Sequence, residues 1–290
     1  MDGGTIITAE SGLYFSETGH TVQEPFLSYY LAHDGLTRLG YPITEPLDHE
    51  GWRVQYFQYA RLEIHPENHP DYFITVGWLG QFSHRTQPPI YNNKYTPNLY
   101  FPETGHTLSG DFLTYFEAQG DTVQFGRPIS EPFLHQGLVT QDLQSARFIW
   151  RPDLPPPVRV QLEPLGETYF LGSDLPLDLL SPVSPSPDGE LFDPPDIPLP
   201  SDTTASLTVE ETPRAGMLRV VATFLKDGLP IEGYRPYLAW GDYRRRLPPT
   251  GSAGQTHALV DISGSDVTEF KLYPASEQTP LATVSFSTGN

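Results

Sequence analysis

The residues best typed for chemistry are two Glu-Thr-Gly-His segments, which place Glu17 three residues before His20 and Glu103 three residues before His106. A carboxylate near an imidazole is the pair that acid–base work or the holding of a polar ligand needs. The same residues have a plainer use, in which the His buttresses a turn before a helix and the Glu pairs with Arg61 or Arg147. No nucleophile accompanies either pair. His65-Pro-Glu-Asn-His-Pro-Asp71 has a metal-like composition, but its prolines forbid the helical i, i+4 geometry of paired His ligands. His49-Glu-Gly-Trp-Arg53 misses the zinc-protease pattern at its last residue. There is no Gly-x-Ser-x-Gly elbow, phosphate-binding glycine loop or dinucleotide fingerprint, so the reading includes no cofactor, no metal and no catalytic residue.

Carbohydrate recognition would use exposed rings on sugar faces, with amides and charged groups reading the hydroxyls. Tyr41, Trp52, Trp78 and Tyr91 are candidate rings, each with core packing as its alternative. Gln55, Arg61, Gln141 and Arg147 join Glu17, His20, Glu103 and His106 as candidate polar contacts. Arg244-Arg-Arg246 is the one basic cluster, read as a solvated hairpin tip that could dock on an acidic surface.

These candidates sit in a repeat. Leu13-Tyr-Phe-Ser-Glu-Thr-Gly-His-Thr21 returns as Leu99-Tyr-Phe-Pro-Glu-Thr-Gly-His-Thr107, and the same offset carries Gly40-Tyr-Pro-Ile-Thr-Glu-Pro46 onto Gly126-Arg-Pro-Ile-Ser-Glu-Pro132. The frame holds at Gln55/Gln141, Gln58/Gln144, Arg61/Arg147 and Leu79-Gly80/Leu165-Gly166. Ungapped duplication of this kind favours a binding or scaffolding module over a catalytic one. In each copy Thr21 or Thr107 is expected to cap a helix, with Glu24 completing a capping box in the first. Phe26, Tyr29 and Tyr30, and Phe112, Tyr115 and Phe116, then share one helical face and are expected in the core. The pattern changes to period 2 at Trp52–Phe57 and Ala60–His65, the two arms of a hairpin, with Tyr72–Val76 as a further strand.

Length and composition suit two or three domains with real cores. The 290 residues carry a net charge of −19, and the acid is concentrated in the repeats and in the stretch after them. Nucleic acid is thus excluded as a partner, because a polyanion would be repelled. Without cysteine there are no disulfides or thiolate sites, and no apolar run is long enough to insert in a membrane. Prolines crowd residues 168–203, which reads as a semi-rigid acidic spacer. Residues 204–290 alternate like short strands separated by turns, the pattern of an immunoglobulin-like β-sandwich.

Leu39-Gly-Tyr-Pro42, with Glu45, Gly51, Gln55-Tyr-Phe57 and Pro66, resembles the LGFP repeat of bacterial cell-wall-associated proteins. Gly126-Arg-Pro128, Glu131, Gly137, Gln141 and Pro152 resemble a second copy. Ala60 and Ala146 stand where that family favours glycine, and Phe125 replaces the leading leucine. The tail is similar to bacterial immunoglobulin-like domains through Asp227-Gly-Leu-Pro-Ile231 and Thr250-Gly-Ser-Ala-Gly254. The resemblance implies an extracellular, cell-surface or wall-associated role.

The combined expectation is a multidomain α+β and all-β chain. Residues 1–90 and 91–167 form tandem helix-plus-antiparallel-hairpin repeats, residues 168–203 a spacer, and residues 204–290 the sandwich. Its function is non-enzymatic binding or adhesion, its partner a cell-wall or surface polysaccharide or other copies of itself. Two alternatives stay open: a structural subunit of an extracellular filament or surface layer, and a hydrolase using Glu17, His20, Glu103 and His106 between the repeats.

Overall fold

The structure, a computed structural model, describes residues 12–83, 87–90, 98–187, 189–275 and 279–286. Tyr91 lies outside them. The chain divides into two compact units, Met1–Pro152 with Arg159–Asp193, and Asp153–Val158 with Pro194–Asn290.

The first unit holds the duplication. Copy one runs β1 (Leu13–Phe15), β2 (His20–Val22), α1 (Phe26–Ala32), α2 (Gly35–Arg38), β3 (Leu47–His49), β4 (Trp52–Tyr56), β5 (Arg61–Ile64) and β6 (Ile74–Val76). Copy two runs β7 (Leu99–Phe101), β8 (His106–Leu108), α3 (Gly110–Gln119), α4 (Asp121–Phe125), β9 (Phe133–His135), β10 (Leu138–Asp142), β11 (Arg147–Trp150) and β12 (Val160–Leu162). Each copy is thus an antiparallel hairpin, a pair of short helices and a four-stranded antiparallel sheet, ordered β3-β4-β5-β6 or β12-β11-β10-β9. This corrects the expected helix-plus-hairpin repeat. Strands in several sheets dominate, and the longest of the five described α-helices is α3, with 10 residues.

The correction has a local cause. Thr21 and Thr107 cap no helix; they lie in β2 and β8, where β-branched residues fit a pleated surface. Pro25 cannot sit inside a helix, so α1 starts only at Phe26, and α3 starts after Ser109. Phe26, Tyr30, Phe112 and Phe116 are buried as the aromatic stripe requires, while Tyr29 and Tyr115 are partly so.

The two copies hold each other reciprocally. After β6, Gly80 presses on the Leu143–Ala146 turn of copy two, and its N–H donates to the Gln144 carbonyl at 2.9 Å. After β12, α5 (Leu165–Gly172) presses Gly166 on the Phe57–Ala60 turn of copy one, and the Glu167 N–H donates to the Gln58 carbonyl at 3.2 Å. A Cβ at either glycine would run into a backbone carbonyl, which is why Leu-Gly recurs in both copies. Gln124 Nε2 also reaches the Arg38 carbonyl at 3.5 Å, and these are equivalent positions. Contact between equivalent residues together with swapped glycine contacts is the pattern of an approximate two-fold axis.

Proline straps follow the same exchange. Pro89 lies against Gly105, and the Ile90 N–H donates to its carbonyl at 2.8 Å. Pro182 lies against Gly19, and the Val183 N–H donates to its carbonyl at 2.8 Å. The stretch expected as a spacer therefore carries structure of its own. β13 (Glu190–Phe192) pairs in parallel with β1, and the Phe192 ring sits 4.9 Å from Phe15 in the first core.

From Pro194 onward, the regular elements of the second unit are, among the described residues, all strands. β14 (Thr203–Glu211), β15 (Met217–Lys226), β16 (Leu229–Pro230) and β19 (Gln255–Asp261) form one sheet, in which β15 pairs with the other three. β17 (Tyr237–Trp240), β18 (Tyr243–Arg246), β20 (Glu269–Tyr273) and β21 (Ala282–Ser285) form the other, ordered β18-β17-β20-β21. Val220, Phe224, Leu238, Phe270 and Leu272 belong to their shared core. Arg244 and Arg246, read as a hairpin tip, belong to strand β18 instead, because the turn is made one step earlier at Gly241-Asp242.

Candidate functional site

The repeated polar residues turn out to brace the fold. His20 is 1% exposed and His106 likewise, and the carboxylates beside them are Glu45 at 3.4 Å and Glu131 at 3.3 Å. The same glutamates accept the Thr21 N–H at 2.8 Å and the Thr107 N–H at 3.0 Å, tying each β hairpin to the Gly-x-Pro turn. Glu17 is buried, whereas Glu103 is exposed and pairs with Arg127 at 3.2 Å. Gln55 donates to the carbonyls of Thr21 and Thr44 at 2.8 and 2.9 Å, and Gln141 to those of Thr107 and Ser130 at 2.7 and 2.8 Å. Both amides are fully buried. Tyr41 is core, edge-on to Phe15 at 5.8 Å, and has no free face for a sugar.

Arg61 and Arg147 are buried too, but their surroundings differ. Arg147 is neutralised by Asp142 at 2.5 Å and Glu163 at 3.0 Å. Arg61 bonds Glu63 through Nε at 2.8 Å, Glu50 at 2.8 Å and the Tyr56 hydroxyl at 3.0 Å. Tyr169, from α5 after the second copy, donates its hydroxyl to Glu50 at 2.5 Å and lies under the Arg61 guanidinium at 5.3 Å. His49 bonds the Tyr56 hydroxyl at 2.8 Å, and His65 bonds Glu63 at 3.0 Å and Glu67 at 2.8 Å. A hydrogen-bonded chain therefore runs from His65 through Glu63, Arg61 and Glu50 to Tyr169.

Rings flank this chain. The Trp52 ring lies tilted over His65 at 4.1 Å, and Phe82 lies 4.6 Å from Tyr169. Phe82 is 46% exposed and Trp78 54% exposed. Copy two has Leu138, Arg151, Pro164 and Thr168 at the positions of Trp52, His65, Trp78 and Phe82. Of the polar cluster, copy two keeps Arg147 for Arg61 and His135 for His49 but has Gln136, Asp142 and Ile149 for Glu50, Tyr56 and Glu63, so neither the cluster nor its aromatic rim is repeated.

Burial works against ionisation of Glu50, but the hydrogen bonds from Tyr169 and Arg61 outweigh it and hold its carboxyl below the usual carboxylate range. Burial likewise opposes the charged form of His65, and the bonds to Glu67 and Glu63 outweigh it and raise its pKa. His49 is lowered, chiefly by burial. Burial pushes the Tyr56 hydroxyl up to about 12, despite Arg61. At neutral pH the cluster accordingly holds an ionised Glu50 beside phenols that stay protonated donors.

Of the residues expected at a site, the structure brings together Arg61 and Trp52, and adds Glu50, Tyr56, Glu63, Tyr169 and Phe82. Arg61, Glu63 and His65 follow each other at period 2, so their common strand face was visible in the sequence. Tyr169 had no such signal, because it reaches Glu50 across 119 residues through the exchange between copies. Among the described residues no group of three or more His, Cys, Asp or Glu side chains is placed to hold a metal ion, and no helix is long and apolar enough to cross a membrane.

No protein-family model matches this chain, and no curated protein matches it. The LGFP-like and immunoglobulin-like resemblances accordingly rest on the residues quoted for them.

Proposed function

We propose that this chain is a non-catalytic binding protein of a bacterial surface or cell wall, and that its first unit binds a polysaccharide through the rim of the Arg61 cluster. The supporting observation is the asymmetry between copies. What they share is spent on holding the fold, whereas Trp52, Phe82 and Tyr169 collect around one ordered polar cluster in copy one only. Rings of this kind stack on the apolar faces of sugars, while Glu50 accepts from hydroxyl groups. Glu50 and its surroundings make the site acidic, so the ligand is a neutral or amino sugar polymer.

Co-sedimentation with purified insoluble cell-wall polysaccharide tests this. Trp52→Ala and Phe82→Ala are each expected to weaken binding about tenfold, roughly 1.4 kcal/mol, with an unchanged far-UV spectrum. Unaltered binding by both variants would refute the site. Release of reducing ends by the wild type, abolished in a folded His20→Ala/His106→Ala double variant, would refute the non-catalytic reading.

A further inference from the structure

The outer face of the β18-β17-β20-β21 sheet carries a second set of groups, unrelated to the Arg61 cluster. Strand register places Arg244, Ala239 and Lys271 in one row, and Arg246, Tyr237 and Tyr273 in the next. The exposed Arg244 guanidinium reaches diagonally over both rings, 4.8 Å from Tyr237 and 4.9 Å from Tyr273. Stacking on rings orients a guanidinium without using its N–H donors. Arg244 forms no ion pair with any described residue. Its neighbour two residues along, Arg246, has taken the Asp196 carboxylate. Lys271 pairs with Glu269 at 3.0 Å.

Beside Arg244 the small Ala239 side chain leaves a groove of about 500 Å³, lined also by Trp240, Asp266, Thr268, Glu269, Lys271 and Tyr273. That volume suits a ligand of one or two sugar rings. Trp240 alternates with Ala239 and packs its ring on the core side of the sheet, 6.4 Å from Phe270, so the groove is bounded by the outward-facing Ala239, Lys271 and Tyr273. Asp266, Glu269 and Thr268 are acceptors for hydroxyl groups.

We infer that this groove, with the Arg244 fork beside it, binds a carboxylate-bearing sugar of uronate type, its carboxylate on Arg244 and its hydroxyls on Asp266, Thr268 and Glu269. Charge selects the class. A neutral sugar leaves Arg244 without an anion, and an acidic peptide or a polyphosphate chain would set several negative groups against Asp266 and Glu269. One carboxylate among hydroxyls meets both requirements. Arg246 with Asp196 shows, on the same strand, the pairing that Arg244 offers to a ligand.

Calorimetry on the full chain with a galacturonate trisaccharide, and with a neutral glucose trisaccharide, tests the assignment. The uronate is expected to bind the wild type and the neutral sugar to bind at least about tenfold more weakly, the worth of one charge-assisted hydrogen-bond pair. Arg244→Gln, an exposed change that leaves the core intact, should remove that preference, and Arg244→Lys should keep part of it. Trp52→Ala should leave uronate binding unchanged, which separates this site from the one in the first unit. Equal uronate affinity in wild type and Arg244→Gln would overturn the inference, as would no binding up to about 10 mM. So would a wild-type dimer, dispersed by Arg244→Gln while uronate binding stays the same, since the face would then seat the acidic surface of a second copy.

Discussion

At the scale of single residues, the buried amides and the His65 cluster make opposite kinds of contribution. Gln55 ties the Thr21 and Thr44 carbonyls together, so Gln55→Ala strips both bonds and should cost about 2–4 kcal/mol in urea denaturation, with Gln141→Ala similar. His65 contributes through its proton. Its folded pKa lies above the ordinary 6.5, so its stabilisation is fully present below about pH 6.5 and is lost as pH rises through the folded value. The gap in melting temperature between wild type and His65→Gln should thus be wider at pH 6 than at pH 8.5. An unchanged gap would show that the Glu63 and Glu67 bonds do not favour the charged ring. Gln55 and Gln141 were legible as a pair through the repeat, but not in role: a glutamine at a fixed offset reads equally as a ligand contact or a cross-tie until its neighbours are known.

Among the elements, the decisive one is the Leu-Gly step that each copy sends into the other. Because a new Cβ at Gly80 or Gly166 meets backbone carbonyls, which cannot rotate away, Gly80→Ala and Gly166→Ala should each destabilise the first unit by about 1–3 kcal/mol or more. Denaturation midpoints within 0.5 kcal/mol of wild type would argue against the reciprocal packing. Phe26→Ala, which empties a fully buried position in α1, should cost about 3–5 kcal/mol by the same measurement. β4, β5 and β6 were readable from alternation, and so were the aromatic positions of α1 and α3, whereas β1, β2, β3 and β13 were not read as strands. The helices were read too early and too long, because a Thr followed three residues later by Glu looks like a cap although His20–Val22 pairs as a strand.

For the whole molecule, the boundary that matters falls near residue 193, where the first unit ends. A fragment 1–193 keeps β13 and places Phe192 against Phe15, whereas a fragment 1–175 loses both. The longer fragment is expected to unfold cooperatively with a clearly higher urea midpoint than the shorter one. Equal midpoints would mean that the proline-rich stretch after α5 adds nothing to the fold. Charge belongs to this scale as well: a net −19 disfavours polyanions at the surface as a whole, and Arg244 makes a local exception on one sheet.

The sequence by itself determined that the first half is one fold written twice, since every strand of copy one recurs in copy two at the same offset, with its buried Gln and Arg. It also showed six of the strands of the second half, though not β16 or β18, because period-2 alternation is a local property that survives any tertiary arrangement. Only the tertiary structure decided which carboxylate meets which base. His20 and His106 turn to Glu45 and Glu131 from the following turn, and Glu50 meets Tyr169 from the end of the other copy. Those pairings depend on strand register and on the exchange between copies, which no spacing along the chain encodes. The same holds for Arg244, an ordinary strand residue until cross-strand neighbours place Tyr237 and Tyr273 beneath it.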